Sequence, residues 1–183
     1  MPKVAVIFAD GFEEVEGMAI VDVLRRAEIE TVMAGLHDGP VTSARKVKVL
    51  VDTVIESVNP DDFDMIILPG GQPGSDNLNN DRRVKDLIKQ FVQKGKLTGA
   101  ICAAPIVLAG AGVLDGRRAT SYPSYREKLG AAVYVENSVV VDGTIVTSRG
   151  PGTALAFGLA VVEKLLGADR AEKIRNAMLV PPA

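Results

Sequence analysis

Short apolar runs alternate with amphipathic stretches along the chain, and this alternation predicts strands that are followed by helices. Residues 4–8 and 65–68 are continuous apolar runs, and residues 31–35 and 97–101 are two further predicted strands. Uninterrupted runs of this length are typical of parallel strands that are buried on both faces of a sheet. Residues 139–146 carry Asp-Gly between two β-branched runs, which indicates a tight hairpin.

Amphipathic helices are predicted between these strands. The clearest covers residues 13–27, where an apolar stripe recurs at helical spacing. The other predicted helices cover residues 84–92, 103–111, 150–166 and 170–178. Asp81 is expected to cap the second helix, and Gly167 is expected to end the fourth. Residues 41–54, with β-branched residues and interleaved cations, are predicted to form an exposed hairpin or an edge excursion.

The order of these elements predicts an α/β fold. We expect one domain over residues 1–183, with a flavodoxin-like, doubly wound and mostly parallel sheet covered by helices on both faces. Ligands of such sheets bind at the carboxyl ends of the strands. Asp10, Gly70 and Cys102 each follow a predicted strand, and we therefore expect them to lie in one region.

Composition narrows the class of protein. The formal net charge is −2 and Lys and Arg do not cluster, so nucleic acid is not expected as the main partner. No run reaches the roughly 20 apolar residues that a membrane-spanning helix needs, and no secretory leader is expected at the N-terminus. A single cysteine excludes an intramolecular disulfide and suits a reducing compartment, which predicts a cytoplasmic protein.

Cys102 is the first candidate for chemistry. It stands where a buried strand is expected to end and a helix to begin, so backbone N–H groups and the helix dipole would favour the thiolate. Small neighbours such as Ala103 suit the sharp turn on which nucleophiles are presented. The alternative is a buried, inert cysteine. The nucleophile interpretation predicts a thiol pKa below the ordinary value of about 8.5.

Glu16 falls on the apolar face of the first predicted helix, where a carboxylate must find hydrogen-bond donors or take up a proton. It can face Cys102 and share a proton with it, or it can stabilise the helix dipole from the first turn. Gly70 and Gly71 follow another strand, and their amides are either oxyanion donors or simply part of a turn. The turn at residues 148–153 is a weaker candidate for anion binding.

His37 is the only histidine, and its position in a turn predicts a surface residue rather than a catalytic base. A cysteine–histidine triad is therefore not expected. The sequence contains neither a Walker motif nor the GxGxxG pattern of dinucleotide sites, and metal-ligand residue types do not cluster. We expect no cofactor and no metal ion.

Four motifs together resemble the DJ-1/ThiJ/PfpI superfamily, specifically its DJ-1-like branch. They are residues 9–16 (ADGFEEVE), 68–71 (LPGG), 100–105 (AICAAP) and 147–153 (TSRGPGT). The resemblance runs nearly end to end and implies a fold like that of class I glutamine amidotransferases. It also implies that Cys102 is the oxidation-prone cysteine, that Glu16 hydrogen-bonds it, and that the backbone of Gly70 and Gly71 lines the site.

Ala103 and Tyr122 refine what the resemblance implies, and both residues are expected to contact the substrate or its oxyanion. Peptidase-like members carry His directly after the cysteine, where this chain has Ala103, so peptidase activity is not expected. Many DJ-1-like proteins carry His before a proline near the site, where this chain has Tyr122. With a reference pKa of about 10, Tyr122 can donate a hydrogen bond but is a poor proton shuttle. Proton transfer therefore falls to Glu16.

The resemblance implies two alternative stress-protection functions. As a glyoxalase or deglycase, the protein would act on methylglyoxal, glyoxal or their early adducts, with Cys102 adding to the aldehyde and Glu16 moving protons. Alternatively, Cys102 is an oxidation sensor whose sulfinate Glu16 would hold, with client binding or chaperone activity as the readout. A homodimer is expected with either function.

Overall fold

The apolar runs of the sequence form the strands of the structure, a computed structural model that describes residues 1–181. The strands are β1 (Lys3–Phe8), β2 (Glu30–Gly35), β3 (Pro40–Thr42), β4 (Lys48–Leu50), β5 (Thr53–Val54), β6 (Met65–Leu68), β7 (Leu97–Ile101), β8 (Arg118–Ala119), β9 (Val133–Tyr134), β10 (Val139–Asp142) and β11 (Ile145–Ser148). One large sheet has the order β10–β11–β7–β6–β1–β2–β5, and β3–β4 and β8–β9 form small ladders. Neighbours in the large sheet are parallel, except that β10 runs antiparallel to β11.

Helices cover both faces of this sheet. They are α1 (Glu14–Arg26), α2 (Gly74–Asn80), α3 (Arg82–Gln93), α4 (Pro105–Gly110), α5 (Ala154–Leu166) and α6 (Ala168–Ala177). Helices α1 and α5 pack Ile20 and Phe157 into a core on one face, while α3 and α4 pack Ile88 and Val107 into a core on the other. The predicted flavodoxin-like α/β fold is confirmed.

Local signals set several helix ends. The Asp81 carboxylate accepts a hydrogen bond from the Arg83 amide at 2.8 Å, which confirms the predicted cap of α3. Helix α5 ends at Leu166, and Gly167 is its C-cap, as predicted. Its start differs from the prediction, because the 3₁₀ turn Pro151–Thr153 precedes it. Helix α4 is likewise shorter than predicted, since residues 102–104 form a turn.

Residues 41–54 contain both structures that the sequence left open. Strands β3 and β4 form an antiparallel hairpin, and β5 pairs with β2 at the edge of the large sheet. The sequence pattern misses α2, β8, β9 and the 3₁₀ turn Pro123–Lys128. These elements are too short or too polar for a hydrophobic period to appear; α2, for example, buries only one large apolar side chain, Leu78.

Residues 182–183 of the predicted domain lie outside the part of the chain that the structure describes. Among the helices within residues 1–181, none has the length and the apolar character that spanning a membrane requires.

Because β6 lies between β1 and β7 and all three are parallel, the segments that follow them meet at one edge of the sheet.

Candidate functional site

Cys102 occupies the sharp turn between β7 and α4. Its φ is +64°, a left-handed conformation that few residues with a Cβ adopt. The Cys102 amide donates to the Ser148 carbonyl at 3.0 Å, and the Cys102 carbonyl accepts from the Tyr122 amide at 2.8 Å. These two bonds hold the strained turn in place. Cys102 is 9% exposed as a residue, so it is buried but still reaches the surface.

Glu16 lies on α1 and is completely buried beside Cys102, because the apolar stripe of the helix turns it inward. The Gly70 amide donates to its Oε2 at 2.8 Å. Within residues 1–181, its Oε1 is buried without a hydrogen bond of ordinary geometry, although the carboxyl group is close enough to the Cys102 side chain to change its pKa. The predicted juxtaposition of the two side chains is therefore present.

Burial controls the proton affinity of both groups. It raises the pKa of Glu16 to about 7, against the opposing effects of Cys102 and the Gly70 amide. Burial also raises the pKa of the Cys102 thiol to about 12, and the charge of Glu16 adds to this rise. The amides of Ala103 and Gly71 act in the opposite direction but are weaker. The expected low thiol pKa is wrong, because burial and the neighbouring carboxylate outweigh the two amides.

Glu16 and Cys102 titrate as one coupled pair. Above about pH 7 the pair has lost one proton, and the thiol, which has the higher pKa, holds the other. When this proton moves to Glu16, Cys102 is a thiolate that faces the Gly71 and Ala103 amides and no second negative charge. Proton transfer to Glu16 is thus the route by which this arrangement makes a nucleophile.

Gly70 and Gly71 differ in what their amides do. The Gly70 amide is already bonded to Glu16 in this structure, and its predicted role as an oxyanion donor stays a prediction. The amides that face the sulfur are those of Gly71 and Ala103. A Cβ on Gly70 would lie 2.5 Å from Glu16 Oε2 and 2.6 Å from Cys102 Cβ, so glycine is required for the close approach of this pair.

Tyr122 lies at the rim of the site and contacts the cysteine turn through its backbone. Its side chain is 46% exposed, and its ring adjoins Gly150, where an added Cβ would come within 3.4 Å of a ring carbon. Tyr122 thus lies beside Cys102, as the family resemblance implied. Its contact with a substrate stays a prediction.

The weaker sequence candidates are engaged elsewhere. His37 is exposed, as predicted, and its Nε2 lies 3.0 Å from the Asp10 carboxylate. In the turn at 148–153, the Thr153 hydroxyl accepts hydrogen bonds from the Arg149 and Gly150 amides at 3.2 and 3.1 Å. Those two amides are satisfied within the turn and are not free to bind an anion. No cluster of three or more ligand-type side chains within residues 1–181 is arranged to hold a metal ion.

Two residues next to the site are not indicated by the sequence. The Gln72 side chain donates a hydrogen bond to the Tyr125 hydroxyl at 2.8 Å. The only available signal was that Gln72 directly follows Gly70 and Gly71. A side-chain contact across 53 residues leaves no local pattern.

Residues 2–164 match the DJ-1/PfpI family. The chain belongs to this family. Protein dj-1beta of Drosophila melanogaster is 44% identical over 178 residues, which make up 96% of this chain and 95% of the relative. The crystal structure of Drosophila melanogaster DJ-1beta matches with a TM-score of 0.95 and 42% identity, over 99% of each chain. The resemblance implied by the four sequence motifs is confirmed.

The relatives differ in length and in name. Protein DJ-1 homolog B of Arabidopsis thaliana is 39% identical over 181 residues, which are 98% of this chain but only 41% of that protein. The Glutathione-independent glyoxalase DJR-1.2 of Caenorhabditis elegans is 36% identical over 171 residues, covering 92% of this chain and 89% of that protein. At least one relative of this chain is therefore named as a glyoxalase.

Proposed function

We propose that the protein is a cofactor-free glyoxalase or deglycase that protects against methylglyoxal, glyoxal and their early adducts. This proposal rests mainly on the buried Glu16, whose raised pKa and position beside Cys102 suit it to exchange a proton with the sulfur. The name of the Caenorhabditis elegans relative supports the same reaction class.

In the first step, Glu16 accepts the thiol proton and the sulfur of Cys102 adds to the aldehyde carbon. The C–S bond forms as the carbonyl π bond breaks, and its electron pair moves to oxygen. The Gly71 and Ala103 amides, which face the sulfur, donate hydrogen bonds to this oxyanion. The oxyanion then takes this proton back from Glu16, which gives the hemithioacetal and leaves Glu16 as a carboxylate.

In the second step, Glu16 removes the proton of the former aldehyde carbon and delivers it to the neighbouring carbonyl carbon, while the hydroxyl proton of the hemithioacetal passes to the neighbouring carbonyl oxygen. The first carbon is thereby oxidised to a thioester and the second is reduced to an alcohol, so no external oxidant or reductant is needed. Tyr122, at the rim, is suited to donate a hydrogen bond to a substrate oxygen. Water hydrolyses the thioester, which releases lactate from methylglyoxal, or glycolate from glyoxal, and restores the thiol.

The direct test is lactate formation from methylglyoxal by the wild type, with Cys102→Ala, Glu16→Ala and Glu16→Gln as comparisons. Turnover by the wild type that is lost in all three variants is the expected result. Glu16→Gln is the closest match because it keeps the volume and the hydrogen bond from Gly70. An absence of lactate above the variants, from folded protein with reduced Cys102, contradicts the proposal.

A second candidate function is oxidation sensing by Cys102. The favouring observation is the buried Oε1 of Glu16, which lacks an ordinary hydrogen bond within residues 1–181; a protonated carboxyl group here is a donor for a sulfinate oxygen. Peroxide treatment would then yield a stable sulfinate and change client binding or chaperone activity, without lactate production. Mass spectrometry of Cys102 together with the lactate assay separates the two functions.

We further propose a homodimer, a state that is common among DJ-1 family proteins. Exposed apolar side chains on α1 and on the β3–β4 hairpin, Val15, Val47 and Leu50, support this proposal, with Leu50 72% exposed. The two elements are neighbours, since the Ala44 amide donates to the Phe12 carbonyl at 2.8 Å just before α1. Light scattering is expected to give twice the chain mass, and Leu50→Glu is expected to lower it.

A further inference from the structure

The three tyrosines of the protein lie in one stretch that follows the cysteine turn: Tyr122, Tyr125 and Tyr134. Tyr122 precedes the 3₁₀ turn Pro123–Lys128, and its carbonyl accepts a hydrogen bond from the Tyr125 amide at 2.9 Å. The Tyr122 amide is bonded to the Cys102 carbonyl. The backbone of this turn is therefore tied directly to the residue that carries the sulfur.

Gln72 reaches the same turn from the loop that follows β6. Its Nε2 donates to the Tyr125 hydroxyl at 2.8 Å and to Asp76 Oδ1 at 3.2 Å. Its Oε1 is buried, with no hydrogen-bond partner in the described part of the chain. The orientation of the Gln72 side chain thus depends on its two donated bonds.

These contacts form a closed circuit around the sulfur. It runs from Cys102 to Tyr122, from Tyr122 to Tyr125, from Tyr125 to Gln72, and along the chain to Gly71, whose amide faces the Cys102 sulfur. The Gln72–Tyr125 bond is its one link between two side chains. A substitution there opens the circuit without removing any backbone hydrogen bond.

We propose that the Gln72–Tyr125 hydrogen bond positions the Gly71 amide against the Cys102 sulfur and thereby sets the reactivity of the thiol. Gln72 and Tyr125 are positioning residues, since they act through Gly71. When the bond is lost, the loop carrying Gly71 is held less closely, and its amide stabilises the thiolate and the oxyanion less well. The turnover consequence rests on the proposed function, whereas the thiol consequence does not.

Tyr125→Phe tests this proposal, because it removes the hydroxyl group and keeps the ring that contacts Lys128. The matched control is Tyr134→Phe, which loses a hydroxyl bond to the Ser121 carbonyl at 3.1 Å and leaves the loop that carries Gly71 untouched. Tyr125→Phe is expected to lower kcat about tenfold with KM unchanged. It is also expected to shift the pH profile of Cys102 alkylation by iodoacetamide upward, with about threefold slower alkylation below the midpoint. Tyr134→Phe is expected to leave both readouts at wild-type values.

Gln72→Leu provides an independent second variant, and thermal unfolding checks that each variant is folded. The double variant with Tyr125→Phe is expected to be no slower in alkylation than Gln72→Leu alone, since both changes break the same link. An unchanged alkylation profile in Tyr125→Phe and Gln72→Leu overturns the proposal, as does an equal shift in Tyr134→Phe. If the wild type makes no lactate, the proposed function fails while the alkylation profiles still decide the role of this hydrogen bond.

Discussion

The buried carboxyl group of Glu16 destabilises the folded protein whenever it is ionised. Its pKa rises from an ordinary value of 4.5 to about 7, so the folded state keeps a proton that the unfolded chain releases between these values. The stability contributed by the protonated group is complete below pH 4.5 and is lost as the pH rises through about 7. This loss amounts to about 3 kcal/mol.

Glu16→Gln is therefore expected to stabilise the protein above pH 7 while it abolishes proton transfer. The gain in unfolding free energy approaches about 3 kcal/mol, because no buried charge forms. Denaturant unfolding of the wild type and the variant over a pH series measures it. The difference between the two proteins should shrink toward pH 4.5; a difference that is constant with pH contradicts the raised pKa.

Gly70→Ala is expected to disrupt the Glu16–Cys102 pair. The new Cβ would lie within 2.8 Å of Glu16 Oε2, Cys102 Cβ and the Ile101 carbonyl, and overpacking of this kind costs about 1–3 kcal/mol. Chemical denaturation and the lactate assay should both report a loss. Gly152→Ala is the control, since no heavy atom lies within 4 Å of its added Cβ and it should behave as wild type.

At the residue scale, local pattern indicates which side chains meet but not how they titrate. The helical stripe turns Glu16 inward, and the end of a buried strand marks Cys102. The sequence did not indicate the raised thiol pKa, because burial and the nearness of the carboxylate arise only when Glu16 of α1 comes to lie beside the turn after β7. For the same reason, the sequence did not indicate that the Gly70 amide bonds to Glu16 or that Gln72 bonds to Tyr125.

At the scale of elements, side chains that satisfy backbone carbonyls fix the connections between strands. The Lys96 ammonium group donates to the carbonyls of Pro60, Asp61 and Phe63, and so ties the segment before β6 to the start of β7. Long strands and helices were predictable because their apolar period extends over several turns or pleats. Elements as short as β8 and β9 depend on tertiary contacts and were not.

Lys96→Met is expected to lower the unfolding free energy by about 1–3 kcal/mol, because it leaves partly buried carbonyls without their donor. Lys94→Met is the matched control. Lys94 makes an exposed ion pair with Asp61, and exposed pairs of this kind contribute little to stability. Denaturant unfolding of both variants measures the difference, and equal losses would contradict the structural role of Lys96.

At the scale of the whole molecule, the parallel order of β1, β6 and β7 assembles the site from segments far apart in sequence. Alternating strand and helix patterns were sufficient to predict a doubly wound sheet and the edge at which its ligand binds. They do not specify which strands are neighbours. The structure supplies that order, and with it the contact between the helix after β1 and the turn after β7.

The pH dependence of lactate formation from methylglyoxal tests the Cys102–Glu16 pair most directly. Below about pH 7 both groups hold protons, and Glu16 cannot accept the one that the thiol must lose. The rate for the wild type is therefore expected to rise as the pH passes through about 7, and Glu16→Gln and Cys102→Ala are expected to show no such rise. An absence of lactate at every pH from folded, reduced protein, or the same profile in Glu16→Gln, would contradict the proposed chemistry.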